Sequence, residues 1–260
     1  MKDNEVIRTM MKRKSVRKYR PDMPDRETVE TIVRAGQKAP FAAQMYSIIL
    51  RTKGGQPFGA PISFVICVDA HKIELFMKKR GWEIKTNPLT MLLLGMQDAS
   101  YMAENMVIAA ESFGLGSCFL GALSMSADHI GYIVKKCRLP DRVLPIVELV
   151  MGYPAEDEPT RPRYPLNFAL FENEYPDIDE ETLKSGMEAM DSGYLAQDYY
   201  RRGKCMIKLD AEEAVLHNSY NYDNYSWTEH ISRKWSHYEP DPGAMLAALK
   251  ERGFDLSGKA

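Results

Sequence analysis

The sequence predicts an α+β fold in which a sheet carries helices on its faces. Three observations point there. Segments of helical and strand periodicity alternate from the N-terminus to Pro154, which sets helices against a sheet. The strand segment "ISFVICVD" (62–69) is apolar along its length and needs cover on both faces. The longest segment, 91–114, is apolar over a face too broad for a surface helix and belongs near the centre.

Taken in order, residues 3–13 form a short polar helix. In "PDRETVETIVRAGQKAP", Asp25 is the N-cap, Val29, Ile32 and Val33 make the apolar stripe, and Pro40 stops the helix. "MYSIILRT" is a strand and "GGQPFGAP" a turn cluster before the strand at 62–69. "HKIELFMKKRGW" is a helix with a basic end. In the long helix, Leu92, Leu93, Met96, Ala99, Met102, Ala103, Met106, Val107 and Ala110 recur near a 3.6-residue period, and Gly114 ends it. "SCFLGAL" is a short buried strand and "SADHIGYIVKKCRLP" a helix ending at Leu139-Pro140. "RVLPIVELVMGYP" is a long strand closed by a Gly-Tyr-Pro turn. Beyond Pro154 the character changes. Residues 155–176 read as an extended, proline-rich arm, 178–202 as a helix and 210–239 as a polar, aromatic stretch. A last helix follows in "PGAMLAALKERGF".

Composition narrows the function classes. The chain has 260 residues, a formal net charge of −2 and 45% hydrophobic residues, as expected of a soluble globular protein with a sizeable core. No basic excess marks a nucleic-acid footprint, and no apolar run of about 18 residues predicts a membrane span. The charged N-terminus lacks an apolar signal core, so a cytoplasmic location is expected. Cys67, Cys118, Cys137 and Cys205 form no CxxC pair, and Cys67 and Cys118 read as buried free thiols. The five histidines show no ligand spacing, so no metal is expected.

Against that neutral background, residues 13–20, "RKSVRKYR", hold five basic side chains in eight residues. Read alone, the run is a solvated helix end. A guanidinium, however, offers forked donors that match phosphate oxygens, and Ser15 adds a hydroxyl for a neighbouring polyol. A second basic pair, Arg161 and Arg163, is stiffened by Pro159, Pro162 and Pro165, which lowers the entropy lost on gripping an anion. "GLGSCFLGAL" (114–123) clears side chains where a flat ring must approach the backbone. It is no phosphate loop, and read alone it is a helix C-cap followed by a tight strand.

The order of these pieces, "RKSVRKY", "KAPFAAQ", "GLGSCFLGAL" and "VLPIVELVMGYPAEDEPTRPRYPL", resembles the nitroreductase family of FMN-dependent oxidoreductases over about residues 8–170. The resemblance implies a nitroreductase-like three-layer α-β-α sandwich with a mixed sheet, in a domain-swapped homodimer with a C-terminal arm. It divides the chain into an FMN-binding domain, 1–170, which includes the start of the arm, and an extension, 171–260, packing on the same domain or the partner subunit. It implicates Arg13, Lys14, Ser15 and Arg17 in binding the flavin phosphate, ribityl chain and pyrimidine edge. Arg161 and Arg163 would reach the phosphate, and Leu115, Gly116 and Ser117 would lie along the ring. In the family's second contact loop, which reaches the flavin from the partner subunit, this chain keeps Pro40 but has Phe41 for serine and Gln44 for asparagine. No residue is assigned a catalytic acid or base.

The implied activity is reduction of bound FMN by NADH or NADPH, followed by reduction of a small aromatic, nitro- or quinone-type acceptor in a ping-pong cycle. Three alternatives stay open: other flavin chemistry, such as reductive dehalogenation or flavin fragmentation, motivated by the altered loop; a non-catalytic FMN-binding protein; and a binding module whose tail, "YNYDNYSWTEHISRKWSHYE", recognises a partner protein. Otherwise that tail packs within its own chain, where Tyr220, Tyr222, Tyr225, Trp227 and Trp235 line or lid a site.

Overall fold

The computed structural model describes residues 2–217, 219–237 and 241–257, the side chains of Ser124, Ala211, Leu216 and His217 excepted. The chain divides into two units, Met1–Glu158 with Pro240–Ala260, and Pro159–Glu239.

The first unit opens with α1 (Glu5–Lys12), capped by the Asn4 side chain, and α2 (Arg26–Gly36), capped by Asp25 accepting from the Thr28 N–H at 2.8 Å. There follow β1 (Tyr46–Arg51), β2 (Ile62–Asp69), α3 (His71–Lys79), α4 (Pro88–Ser112), β3 (Gly116–Leu120), α5 (Ala127–Cys137) and β4 (Val143–Gly152). The strands lie in the order β1-β2-β4-β3, and every neighbour is antiparallel. The mixed sheet expected above is therefore corrected. Its parallel component is one bridge, Ser15 to Ser117, because the segment then leaves Ser117 and pairs with Tyr153–Ala155.

Alternation along β2 and β4 builds the layers. Phe64, Ile66, Leu149 and Met151 face α2 and α4, meeting Ile32, Met102, Met106 and Val107. Val65 and Cys67 join Ile130 and Ile133 of α5 on the other side. All eight residues of β2 are buried, including the free thiol Cys67. The long helix sits where its breadth of apolar surface predicts. Gly95 lets it close on the sheet, since a Cβ there would fall 2.5 Å from a Val68 methyl. Gly114, at φ +74°, turns the chain out of α4 and into β3. Helix α5 stops at Cys137, before the expected Leu139-Pro140, because Arg138 takes a left-handed conformation at φ 52°.

In the second unit, α6 (Glu180–Ala196) and α7 (Tyr199–Gly203) replace the single helix read over 178–202, which breaks at Asp198 with φ 49°. Helices α8 (Ala211–His217) and α9 (Trp227–His237) occupy the aromatic stretch. Tyr200, Tyr225 and Met190 are buried together with Arg233, which donates to Glu229 at 2.7 Å and to the Ile207 carbonyl at 2.9 Å. Trp235 is 73% exposed. Part of the proline-rich arm packs on α6 of its own unit, with Phe168 against Gly186 and Pro162 against Gly193.

The last helix, α10 (Pro242–Glu251), returns to the first unit. There Arg252 donates to the carbonyls of Leu139, Pro140 and Val143, and Phe254 is buried.

Candidate active site

The basic segment 13–20 lies extended between two strands' ends. Val16 donates its N–H to the Ser117 carbonyl at 2.9 Å, Arg20 to that of Tyr153 at 2.9 Å, and Ala155 to that of Lys18 at 2.9 Å. Val16 and Tyr19 point inward to Cys118 and Val150. Arg17 projects into solvent, and Arg13 and Lys14 are partly exposed. Gly116 makes the close pairing possible, because a Cβ there would meet Val16 at 2.5 Å and Pro154 at 2.9 Å. The structure thus brings Arg13, Lys14, Ser15 and Arg17 together with Leu115, Gly116 and Ser117. The last three are buried.

Acidic groups face this segment. Glu156 accepts the Arg17 backbone N–H at 2.6 Å, and Asp157 pairs with the Lys14 ammonium, whose hydrogen bond, and then its charge, holds that carboxyl below its ordinary pKa. Glu111, at the end of α4, is pushed up to about 7 by burial, opposed by the charges of Arg13 and Lys14. One of its oxygens, Oε1, and the buried Ser117 hydroxyl have no hydrogen-bond partner. Burial also raises the Cys118 thiol, against the pull of Arg17. Three cationic side chains beside a hydroxyl and orphaned buried polar atoms fit a ligand with a phosphate dianion and a polyol, as FMN has.

The second element, residues 40–45, is built around a carboxylate that the sequence reading did not single out. Asp98 of α4 is 1% exposed. Its Oδ1 accepts the N–H of Ala42 at 2.6 Å, and its Oδ2 those of Ala43 at 3.0 Å and Met45 at 2.9 Å. Held this way, the loop sets Gln44 at φ 51° and leaves Pro40, Phe41 and Gln44 exposed, Phe41 by 53%. Asp98 and Glu111 stand 13 positions apart on α4, about 20 Å along a helix rising ~1.5 Å per residue. Each chain therefore carries its 40–45 loop at the middle of α4 and its basic segment beside that helix's C-terminal end.

Arg161 and Arg163 belong to the second unit. Arg161 donates to Gln197 at 2.6 Å and stacks 4.2 Å from the Tyr199 ring centre, while Arg163 donates to the carbonyls of Arg161 and Pro162. Among the described residues no group of three or more His, Cys, Asp or Glu is placed to hold a metal, and the His217 side chain lies outside them. No helix among them is long and apolar enough to cross a membrane.

Comparison with known proteins follows the same lines. The family model described as "Nitroreductase family" matches residues 10–53 and 50–153. An FMN reductase (NADPH) of Bacillus subtilis is 29% identical over 215 residues, covering 76% of this chain and 84% of that protein. A Cr(VI) reductase of Pseudomonas sp. is 32% identical over 196 residues, covering 69% and 79%. The solved structure of the NfrA1 nitroreductase from B. subtilis superposes with a TM-score of 0.77 at 25% identity, covering 96% of this chain and 99% of that one.

Proposed function

The chain belongs to the nitroreductase family and is an FMN-dependent NAD(P)H oxidoreductase; from that premise we propose that it reduces a small aromatic, nitro- or quinone-type acceptor in alternating, ping-pong half-reactions. The observation that carries this reading is the extended basic segment beside Ser117 and Glu111, with its orphaned buried polar atoms. FMN supplies the chemistry when bound: it accepts a hydride and passes two electrons on. The chain's own residues bind and orient. Arg13, Lys14 and Arg17 engage the phosphate and place positive charge where negative charge grows on reduction. No side chain need act as a general acid or base, since solvent supplies protons. The names of the relatives favour NADPH over NADH.

A two-fold homodimer with the flavin at its interface completes the proposal. Helix α4 buries one broad face, yet Leu89 and Leu93 outside it are 51% and 53% exposed, and large apolar side chains so placed call for cover. The ~20 Å between the two site elements on α4 suits a flavin gripped by one subunit's basic segment and the other subunit's 40–45 loop. Light scattering is expected to report a dimer at micromolar concentration; a monomer would sink this part.

The deciding measurement is an absorption spectrum of the purified protein before and after anaerobic NADPH. Flavin bands that bleach support the reading, and a protein that stays colourless after reconstitution with FMN ends it. Exposed Phe41, in place of a hydrogen-bonding serine, favours one second reading, reductive dehalogenation. Turnover of a halotyrosine without turnover of menadione would select it.

A further inference from the structure

We propose that Asp98 is a positioning residue for the flavin site, holding the 40–45 loop so that Phe41 and Gln44 meet the cofactor or acceptor in one fixed arrangement. The inference rests on the flavin reading above and adds a residue to it. A carboxylate 1% exposed is costly to bury, and here its compensation is three backbone amides of one short loop. The loop's other backbone bonds lie at its C-terminal end, where Tyr46 donates to the Gln44 carbonyl at 2.8 Å and Asp69 to the Met45 carbonyl at 3.0 Å. The amides of Ala42, Ala43 and Met45 therefore share one anchor, and that anchor sits in the central helix rather than in the loop. Its geometry passes directly to Phe41 and Gln44, which flank the anchored amides and point away from the core.

Asp98→Asn tests this. The amide keeps the shape, loses the charge and turns an NH₂ group toward backbone donors. Apoprotein is titrated with FMN, the visible spectrum of the bound flavin is recorded, and amide hydrogen exchange is followed at residues 42, 43 and 45. The expected result is about tenfold weaker FMN binding, as for the loss of one charge-assisted bond, with a shifted flavin spectrum and faster exchange confined to the loop. Adding Phe41→Ala and Gln44→Ala to Asp98→Asn is expected to weaken binding little further, because all three act through one loop. A variant with a lower melting temperature but unchanged FMN affinity and spectrum would show a purely structural role and overturn the proposal. Should Asp98→Asn not fold, Asp98→Glu keeps the charge and displaces the anchor by one methylene; wild-type affinity and spectrum in that variant would overturn it equally. Wild-type protein that takes up no FMN removes the functional reading and this inference together, whereas wild-type uptake with an indifferent Asp98→Asn removes this inference alone.

Discussion

The two elements that meet the flavin in this proposal are anchored in opposite ways. The basic segment is pinned at intervals along its length, by Val16 to Ser117, by Arg20 to Tyr153, by Lys18 to Ala155 and by the Arg17 amide to Glu156. In the 40–45 loop, three amides converge on Asp98 alone. Distributed anchoring tolerates loss of any one bond and leaves the side chains free to vary in role. Concentrated anchoring makes one buried residue, far away in sequence, decide the placement of several exposed ones. Side chains of the first element should therefore report on ligand binding with the fold intact, while the second element responds to its anchor.

The largest effect expected on the first side of that contrast comes from Arg13→Ala combined with Arg17→Ala. Two lost charge-assisted contacts to phosphate should weaken FMN binding on the order of a hundredfold, with a melting curve for the apoprotein close to wild type. A collapse of the apoprotein instead would mean that these arginines hold the segment and that the anchoring is not in its backbone. Next comes Gly116→Ala, which attacks the seat itself. The new methyl would overlap Val16 and Pro154, costing about 1–3 kcal/mol as overpacking does, measurable by urea denaturation. The smallest is Glu111→Gln. Folded Glu111 titrates near 7, above its unfolded value of 4.5, so the folded state holds the extra proton between those values. Its contribution to stability is full below pH 4.5 and is lost as pH rises through about 7. Glu111→Gln should flatten that decline by on the order of 1–2 kcal/mol, less than the full shift because partial exposure screens it. An unchanged stability profile between pH 4.5 and 7.5 would refute the burial of that carboxyl.

What the sequence made legible follows hydrophobic contrast. β2 and α4 announced themselves because the first unit buries aliphatic side chains, and the caps at Asp25 and Gly114 are local signals. α8 and α9 went unassigned because the second unit is built on residues that patterning counts as polar. Tyr200 and Tyr225 are buried among His230 and Arg233, with Tyr225 Oη 3.0 Å from His230 Nδ1. The break between α6 and α7 rests on the left-handed Asp198, a conformation that residue type allows but does not demand. In the site, clustered charge exposed the basic segment, whereas Asp98 is separated from its loop by more than fifty residues. One signal could have found it: an acid that falls on the apolar, core-facing side of the long helix, between Gly95 and Ala99, must have donors waiting somewhere else in the chain.

The return of α10 to the first unit bears on how the protein is made. Arg252 closes the carbonyls left open at the end of α5 and the start of β4, and Phe254 fills the adjacent core. A ribosome that has finished β4 must still add about 100 residues before Arg252 exists, some 5–20 seconds at roughly 5–20 residues per second. Throughout that interval the nascent first unit has its sheet but lacks its final seam, so the apolar surface around Ile133 and Leu139 is the stretch for a chaperone to guard.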